Sequence, residues 1–313
     1  MTTHHSPRVW LALATIYVVW GSTFTAITFA VRDLPPLLAM GLRHVTAGTI
    51  LLVWALPRGD RAGDRIGWRQ LRAALFFGGA LFLMGHGGLA WAQQRIPSGA
   101  AALLVGSIPL WMALLDRVVF GRRLHRTANL GLFAGFVGLA FLVDPFGAGS
   151  IDRVGALVAV LSAFAWAAGS LYSRGAPLPE RPLVSAGLAA LCGGALLLVA
   201  AAASGELGDI HPTADALGAI AYLVVVGTII GFSAYVWLLR KAPLSFVATY
   251  AYVNPVVAVL LGTTLLGEDL TPQMLVAGAV IVASVALIVR KSGAVLEPGR
   301  SLRRRRQEVR SAA

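Results

Sequence analysis

Residues 267–270 read Gly267-Glu268-Asp269-Leu270, and 146 positions earlier the chain reads Gly121-Arg122-Arg123-Leu124. The spacing recurs along most of the sequence. Trp20 returns as Trp166, Pro36 as Pro182, Trp91 as Trp237, Arg95 as Lys241, Pro97 as Pro243 and Pro109 as Pro255. Against this constant offset, the two arginines after Gly121 become two acids after Gly267. Equivalent loops of opposite charge are what two copies inserted in opposite senses across a bilayer require, because cytoplasmic loops concentrate Lys and Arg.

Composition supports a membrane setting. The 313 residues are 57% hydrophobic and 13% charged, far below the roughly 25% charged of soluble domains, and the mean hydropathy is +0.75. The net charge of +12 comes from basic residues set between apolar runs rather than interleaved with aromatics on a soluble face, so it reads as topology and excludes a nucleic-acid partner. Cys192 is the only cysteine, which rules out an intrachain disulfide and a cysteine zinc cluster. The first apolar run, about 9–31, is too long for a secretory h-region and lacks a small-residue cleavage site, so it reads as a retained span.

A spanning helix needs roughly 20 mostly apolar residues. Ten such runs are present, at about 9–31, 35–56, 72–92, 98–120, 127–143, 154–173, 183–203, 216–238, 245–266 and 273–290. Their connections are short turns of Pro, Gly and charge. The predicted fold is an all-α integral membrane protein of ten transmembrane helices arranged as two inverted five-helix repeats, residues 9–145 and 150–290, followed by a basic tail, 291–313. Counting by loop parity, 22 of the 26 Lys and Arg lie on the side holding both termini, three (Arg32, Arg95 and Arg153) on the other, and Arg43 within a span. That asymmetry places both termini in the cytoplasm. Five spans per copy is odd, so the second copy enters inverted, with the boundary in the Gly-rich stretch from Phe146 to Ser150.

The order and spacing of Trp20-Gly21-Ser22-Thr23-Phe24, Arg43, Pro97-Ser98-Gly99-Ala100-Ala101, Ile108-Pro109-Leu110, Asn254-Pro255-Val256 and Gly267-Glu268 resemble the EamA-like family of the drug/metabolite transporter superfamily. The resemblance covers about 9–290. It implies a multi-pass inner-membrane carrier, many relatives of which export amino acids, metabolites or toxic compounds, with a cavity formed mainly by spans 1, 3, 4, 6, 8 and 9. One departure matters. Where the family has Gly-Glu after the fourth span, this chain has Gly121-Arg122, with Asp116-Arg117 near the end of that span, so a role for a first-copy glutamate does not transfer.

A bilayer core does not hydrate polar groups, so polar residues within spans should face one another, a cavity or a substrate. Trp20, Thr23, Arg43, His86, Ser107, Trp166, Ser170, Tyr250 and Asn254 are the substrate-cavity candidates. Arg43 lies eight positions into the second span, roughly 12 Å along a helix, with no deeply placed Asp or Glu to pair with it. It reads either as a ligand for an anionic substrate group or as a helix clamp or snorkelling side chain. His44 and His86 change charge near neutral pH, and His86, with Gln93 seven residues on, is the preferred proton carrier if transport is proton-coupled; a structural histidine among glycines is the plainer reading. Trp20 and Trp166 sit mid-span, where they either stack a substrate or pack symmetrically. Tyr250 and Asn254 share a helical face. Pro109 and Pro255 lack the N–H that would bond Val105 and Ala251, making them hinge candidates.

The expected partners are a small-molecule substrate, the lipid bilayer and, if coupled, protons. Neither a cofactor nor a metal is called for. Without a Gly-x-x-x-x-Gly-Lys-Ser/Thr run there is no sign of direct ATP drive, and without His-Glu-x-x-His or paired deep carboxylates there is no sign of an intramembrane enzyme. The leading expectation is a secondary exporter working by alternating access. An uptake or sugar-type permease on the same scaffold is the alternative, followed by a passive channel.

Overall fold

A computed structural model describes residues 6–58, 66–121, 126–143, 151–173, 175–208, 210–242 and 249–295. Arg122 to Leu124, the connector from Phe146 to Ser150, Pro243 and the tail beyond Val295 lie outside the described residues. Among the described residues, eight helices are long and apolar enough to cross a membrane: α1 (Pro7–Asp33), α2 (Pro36–Arg58), α3 (Trp68–Ala92), α4 (Ser98–Val119), α5 (Arg126–Val143), α6 (Arg153–Ser173), α7 (Pro182–Ala203) and α8 (Ala214–Tyr235). Two further apolar helices complete the ten, α9 (Tyr250–Leu265) and α10 (Pro272–Val295).

Local chemistry sets the ends. Ser6 caps α1 by accepting from Val9 N at 3.3 Å, and prolines at the first turns of α1, α2 and α7 fit positions that need no N–H. Gly121 and Gly267, the shared glycines of the two charged stretches, adopt the same left-handed conformation, φ 64° and 66°. Each follows its helix where an L side chain would be strained, and so each copy stops at the same place.

Ties between loop ends fall on two faces, as strict alternation demands. On the face that holds Ser6, Arg181 donates to the Ala55 carbonyl (2.9 Å), and further into the bundle the hydroxyls of Tyr17 and Thr249 are hydrogen-bonded (2.5 Å). On the other face, Thr213 donates to Asp33 (2.8 Å), Leu38 N to Glu206 (2.9 Å), and Gln273 to the Phe141 carbonyl (2.8 Å). Glu268 belongs there too, accepting from Ser98 N (2.6 Å), Ser98 Oγ (3.0 Å) and Gly99 N (3.1 Å), which caps α4 with a carboxylate from the other repeat.

Packing follows the pseudo-twofold relation between repeats. Helices α2 and α7 are equivalents that lie against each other, as are α4 and α9, and α5 and α10, while α1 against α8 is matched by α6 against α3. Lipid is as apolar as leucine, so association depends on close backbone approach rather than water exclusion. The α2/α7 contact shows the limit of that approach. A Cβ at Gly48 would lie 2.6 Å from Leu191 N, and one at its equivalent Gly194 would lie 2.6 Å from Val45 N. Large apolar side chains on the outer surface, such as Leu11, Val53, Phe133 and Val199, form the belt that faces lipid.

Three spans are not plain α-helices. Residues 79–87 of α3 and 223–230 of α8 wind as π-helix; the first transposes to about 225–233 under the repeat offset, overlapping the second. Helix α4 breaks at Gly106 and Ser107 ahead of Pro109, whereas Pro255 is carried inside the unbroken α9. The equivalent prolines therefore have different local structures, and only Pro109 marks an interruption.

Candidate functional site

A cavity of about 130 Å³ lies between the repeats, lined by Trp20 and Thr23 of α1, Arg43 and His44 of α2, Phe82 and His86 of α3, Trp166 of α6, Thr228 of α8, and Tyr250 and Asn254 of α9 among others. Seven of the nine sequence candidates meet there: Trp20, Thr23, Arg43, His86, Trp166, Tyr250 and Asn254. Ser107 and Ser170 do not. Ser107 is fully buried and donates to the Leu104 carbonyl at 2.5 Å, and Ser170 donates to the Trp166 carbonyl at 2.7 Å. Each satisfies itself within its own helix, which is the usual fate of a serine in an apolar span.

Both tryptophans stand on the cavity wall with the same relation to the opposite element. Trp20 leans on Gly231, whose added Cβ would lie 2.7 Å from Trp20 Nε1, and Trp166 leans on Gly85, whose added Cβ would lie 3.1 Å from its ring. Gly85 and Gly231 are repeat equivalents. Around this shared frame the neighbours differ. Trp20 donates to the Gly227 carbonyl (3.3 Å) and packs against Tyr235 and Tyr250 at 5.1 and 5.0 Å, whereas Trp166 packs against His86 at 4.9 Å and Phe82 at 6.4 Å. The symmetric packing and the exposure to the cavity coexist.

Arg43 is 4% exposed and reaches neither surface, so the snorkelling reading does not describe it. Its Nε donates to Thr228 Oγ1 at 3.3 Å and its terminal nitrogen lies 3.9 Å from Met40 Sδ. Thr228 in turn donates to the Leu223 carbonyl five residues back, at 3.0 Å. Both residues lie within the π segment 223–230, whose five-residue spacing matches the reach of this side-chain bond. No carboxylate lines the cavity.

His86 is joined not to Gln93 but to His44. The nitrogens His86 Nδ1 and His44 Nε2 are 2.8 Å apart and the rings lie nearly parallel, 4.9 Å between centroids. Gln93 instead donates to the Phe24 carbonyl (2.8 Å) and Thr28 (3.0 Å), tying the end of α3 to α1, and is not itself a lining residue. The expected His86-to-Gln93 face assumed one α-helical period, whereas His86 belongs to the π stretch that ends at Gly87 and Gln93 caps the α-helical turn 88–92 that follows it. His44 Nδ1 has no partner. A bare acceptor costs less there than an unpaired N–H, which places the shared proton on His44 Nε2 and leaves His86 Nε2 as a donor.

On α9, with its amide oriented to suit both neighbours, Asn254 donates to the Tyr17 carbonyl (3.2 Å) and the Tyr250 carbonyl (3.1 Å). The first bond fastens α9 to α1; the second lies within the turn that Pro255 weakens. Thr228, His44 and Phe82 were missed as site residues. Thr228 and Phe82 carried no signal above an apolar run, and His44 could have been paired with His86 only by knowing how α2 and α3 pack.

The profile of the EamA-like transporter family matches residues 8–144 and 153–290. An uncharacterized inner membrane transporter of Escherichia coli, YedA, is 35% identical over 278 residues, 88% of this chain and 89% of its own. The uncharacterized transporter YvbV of Bacillus subtilis is 25% identical over 92% of this chain and 93% of its own. Protein PecM of Dickeya dadantii is 27% identical over 87% and 89%. A crystal structure 21% identical in sequence covers 92% of this chain and 98% of its own at a TM-score of 0.62, which shows the same fold.

Proposed function

We propose that this chain, which belongs to the EamA-like transporter family, is a secondary carrier that exports a small metabolite, amino-acid-like compound or toxic solute by alternating access. The observation that carries the reading is the cavity between the repeats, to which α1, α2, α3, α6, α8 and α9 all contribute. Alternating access needs a site that each half can seal from its own side. The units that rock are the two repeats, 9–145 and 150–290, and the hinge on α4 is the interruption before Pro109. Binding and translocation are the whole activity, with no covalent chemistry on the substrate.

The carrier sits in the inner membrane, like the relative YedA, with both termini in the cytoplasm, as the distribution of 22 basic residues to one side supports. Protons are the coupling ion, relayed by the His44–His86 pair within the cavity wall. Counterflow tests the reading. Right-side-out vesicles preloaded with a substrate identified by metabolite screening should accumulate labelled substrate transiently against its gradient. Simple equilibration without counterflow, or large unitary currents, would mark a channel and overturn the carrier; net inward movement driven by the proton gradient would reverse the direction to uptake.

A further inference from the structure

We propose that the cavity is an organic-anion site, in which the Arg43 guanidinium binds the carboxylate of a small monoanion whose apolar or aromatic body packs against Trp20 and Trp166. The assignment rests on the carrier reading and names the class of solute it serves. Three observations support it independently.

The first is charge. Arg43 is a permanent cation, is buried between α2 and α8, and among the described residues hydrogen-bonds to a threonine hydroxyl and a thioether but to no carboxylate. Nowhere in the described spans does a carboxylate lie at its depth: Asp116 is near the end of α4, Asp215 at the exposed start of α8, and Glu206 and Glu268 cap helices at the opposite face from Ser6. A buried cation without a counter-charge is costly, and an anion arriving from the cavity relieves that cost.

The second is hydrogen-bond polarity. The one charged group lining the cavity is a donor, the guanidinium, and His86 on the same wall keeps an N–H, at Nε2, outside the histidine pair. Two backbone acceptors on this wall are already engaged, since the Trp20 carbonyl receives Thr23 at 2.6 Å and the Gly227 carbonyl receives Trp20, and the bare His44 Nδ1 is a fully buried atom. A guanidinium offers two parallel N–H groups to a carboxylate and cannot bind an ammonium.

The third is the rest of the wall. Phe82, Phe232 and the two tryptophans present ring faces and edges to a space that would hold only about four water molecules. A small body fits, and its ring packs on the tryptophans by offset or edge contacts. The anion ends at Arg43 and the apolar body occupies the aromatic end, so the site selects by both.

Calorimetric titration of detergent-purified full-length protein with phenylacetate, its neutral isostere phenylacetamide and the cation phenethylamine tests this directly. Phenylacetate should bind at least about tenfold more tightly than the amide, as one charge-assisted hydrogen bond implies, and phenethylamine should be weakest. Arg43→Gln should bring phenylacetate down to the affinity of the amide while leaving the amide unchanged; Arg43→Lys, a point charge without the fork, should fall between. Equal binding of the acid and the amide, tighter binding of the amine, or no binding of phenylacetate at millimolar concentration overturns the assignment. Those comparisons use the wild-type protein, so they decide the matter even if Arg43→Gln does not fold. Because no transport is measured, loss of the acid preference removes the anion assignment alone, whereas acid-selective binding without counterflow removes the carrier reading instead.

Discussion

Glu268 should hold the start of α4 more firmly than any residue of its own repeat does. Its two oxygens accept from Ser98 N, Ser98 Oγ and Gly99 N at 2.6, 3.0 and 3.1 Å, at a helix N-terminus where a carboxylate also meets the positive end of the helix dipole. Removing a capping side chain costs about 0.5–2 kcal/mol, and hydrogen bonds to a charged group are worth about 1.5–3 kcal/mol each; because one carboxylate shares the three, roughly 2–4 kcal/mol is expected for Glu268→Ala. Glu268→Gln keeps one carbonyl acceptor and loses the charge, so about half that is expected. Amide hydrogen exchange reads the effect where it arises. Each 1.4 kcal/mol of lost protection is about tenfold in local opening, so peptides covering Ser98 to Ala101 should exchange about 30-fold or more faster in Glu268→Ala, with α5 and α10 unchanged. Gly262→Ala should reproduce the change, since its Cβ would lie 2.4 Å from Glu268 Oε2 and 2.8 Å from Ser98 Oγ, while Asp269→Asn, at an exposed position, should not. Unaltered exchange at Ser98 and Gly99 in Glu268→Ala would refute the cap.

Other perturbations follow from the packing and the cavity. Gly48→Ala puts a Cβ 2.6 Å from Leu191 N and 2.8 Å from the Gly187 carbonyl; backbone does not yield easily, so a loss of about 1–3 kcal/mol in thermal or denaturant stability is expected, against none for Gly218→Ala, where nothing lies within 4 Å. His86→Gln and His44→Gln should each flatten the pH dependence of exchange between neutral and mildly acidic pH, because either substitution breaks the 2.8 Å pair; a profile identical to wild type would remove the pair from coupling. Deleting residues 300–313 should leave transport in membrane-localised protein intact if the proposed part of Arg303 to Arg306 is only to bias the tail to the cytoplasm, and lost transport at normal membrane levels would contradict that role.

Much of the architecture was legible before any coordinates. Apolar run length fixes which segments can cross a bilayer, and a constant 146-residue offset with an odd number of runs per copy fixes that the copies are inverted. The shared glycine of the opening stretch proved to have the same left-handed backbone in both copies, a local requirement that sequence records faithfully. Arg43 stood out for a related reason: its charge is conspicuous in an apolar run, and the lack of a deep carboxylate is a property of composition.

Tertiary structure decided what those residues touch. The chain shows that Arg43 needs partners but not that Thr228, in the π segment of α8, is one of them, because helix winding in an apolar segment responds to packing more than to residue type. It shows two histidines 42 positions apart but not their contact, which depends on how α2 and α3 are rotated. Ser107 and Ser170 resembled the lining residues in composition and depth, and like Thr23 they bond to carbonyls of their own helices; which of these hydroxyls borders the cavity depends on how each helix is rotated. In a membrane the sequence specifies which segments are buried, since that is a matter of transfer from water; which faces meet is set by shape and small residues, and only the assembled helices reveal it.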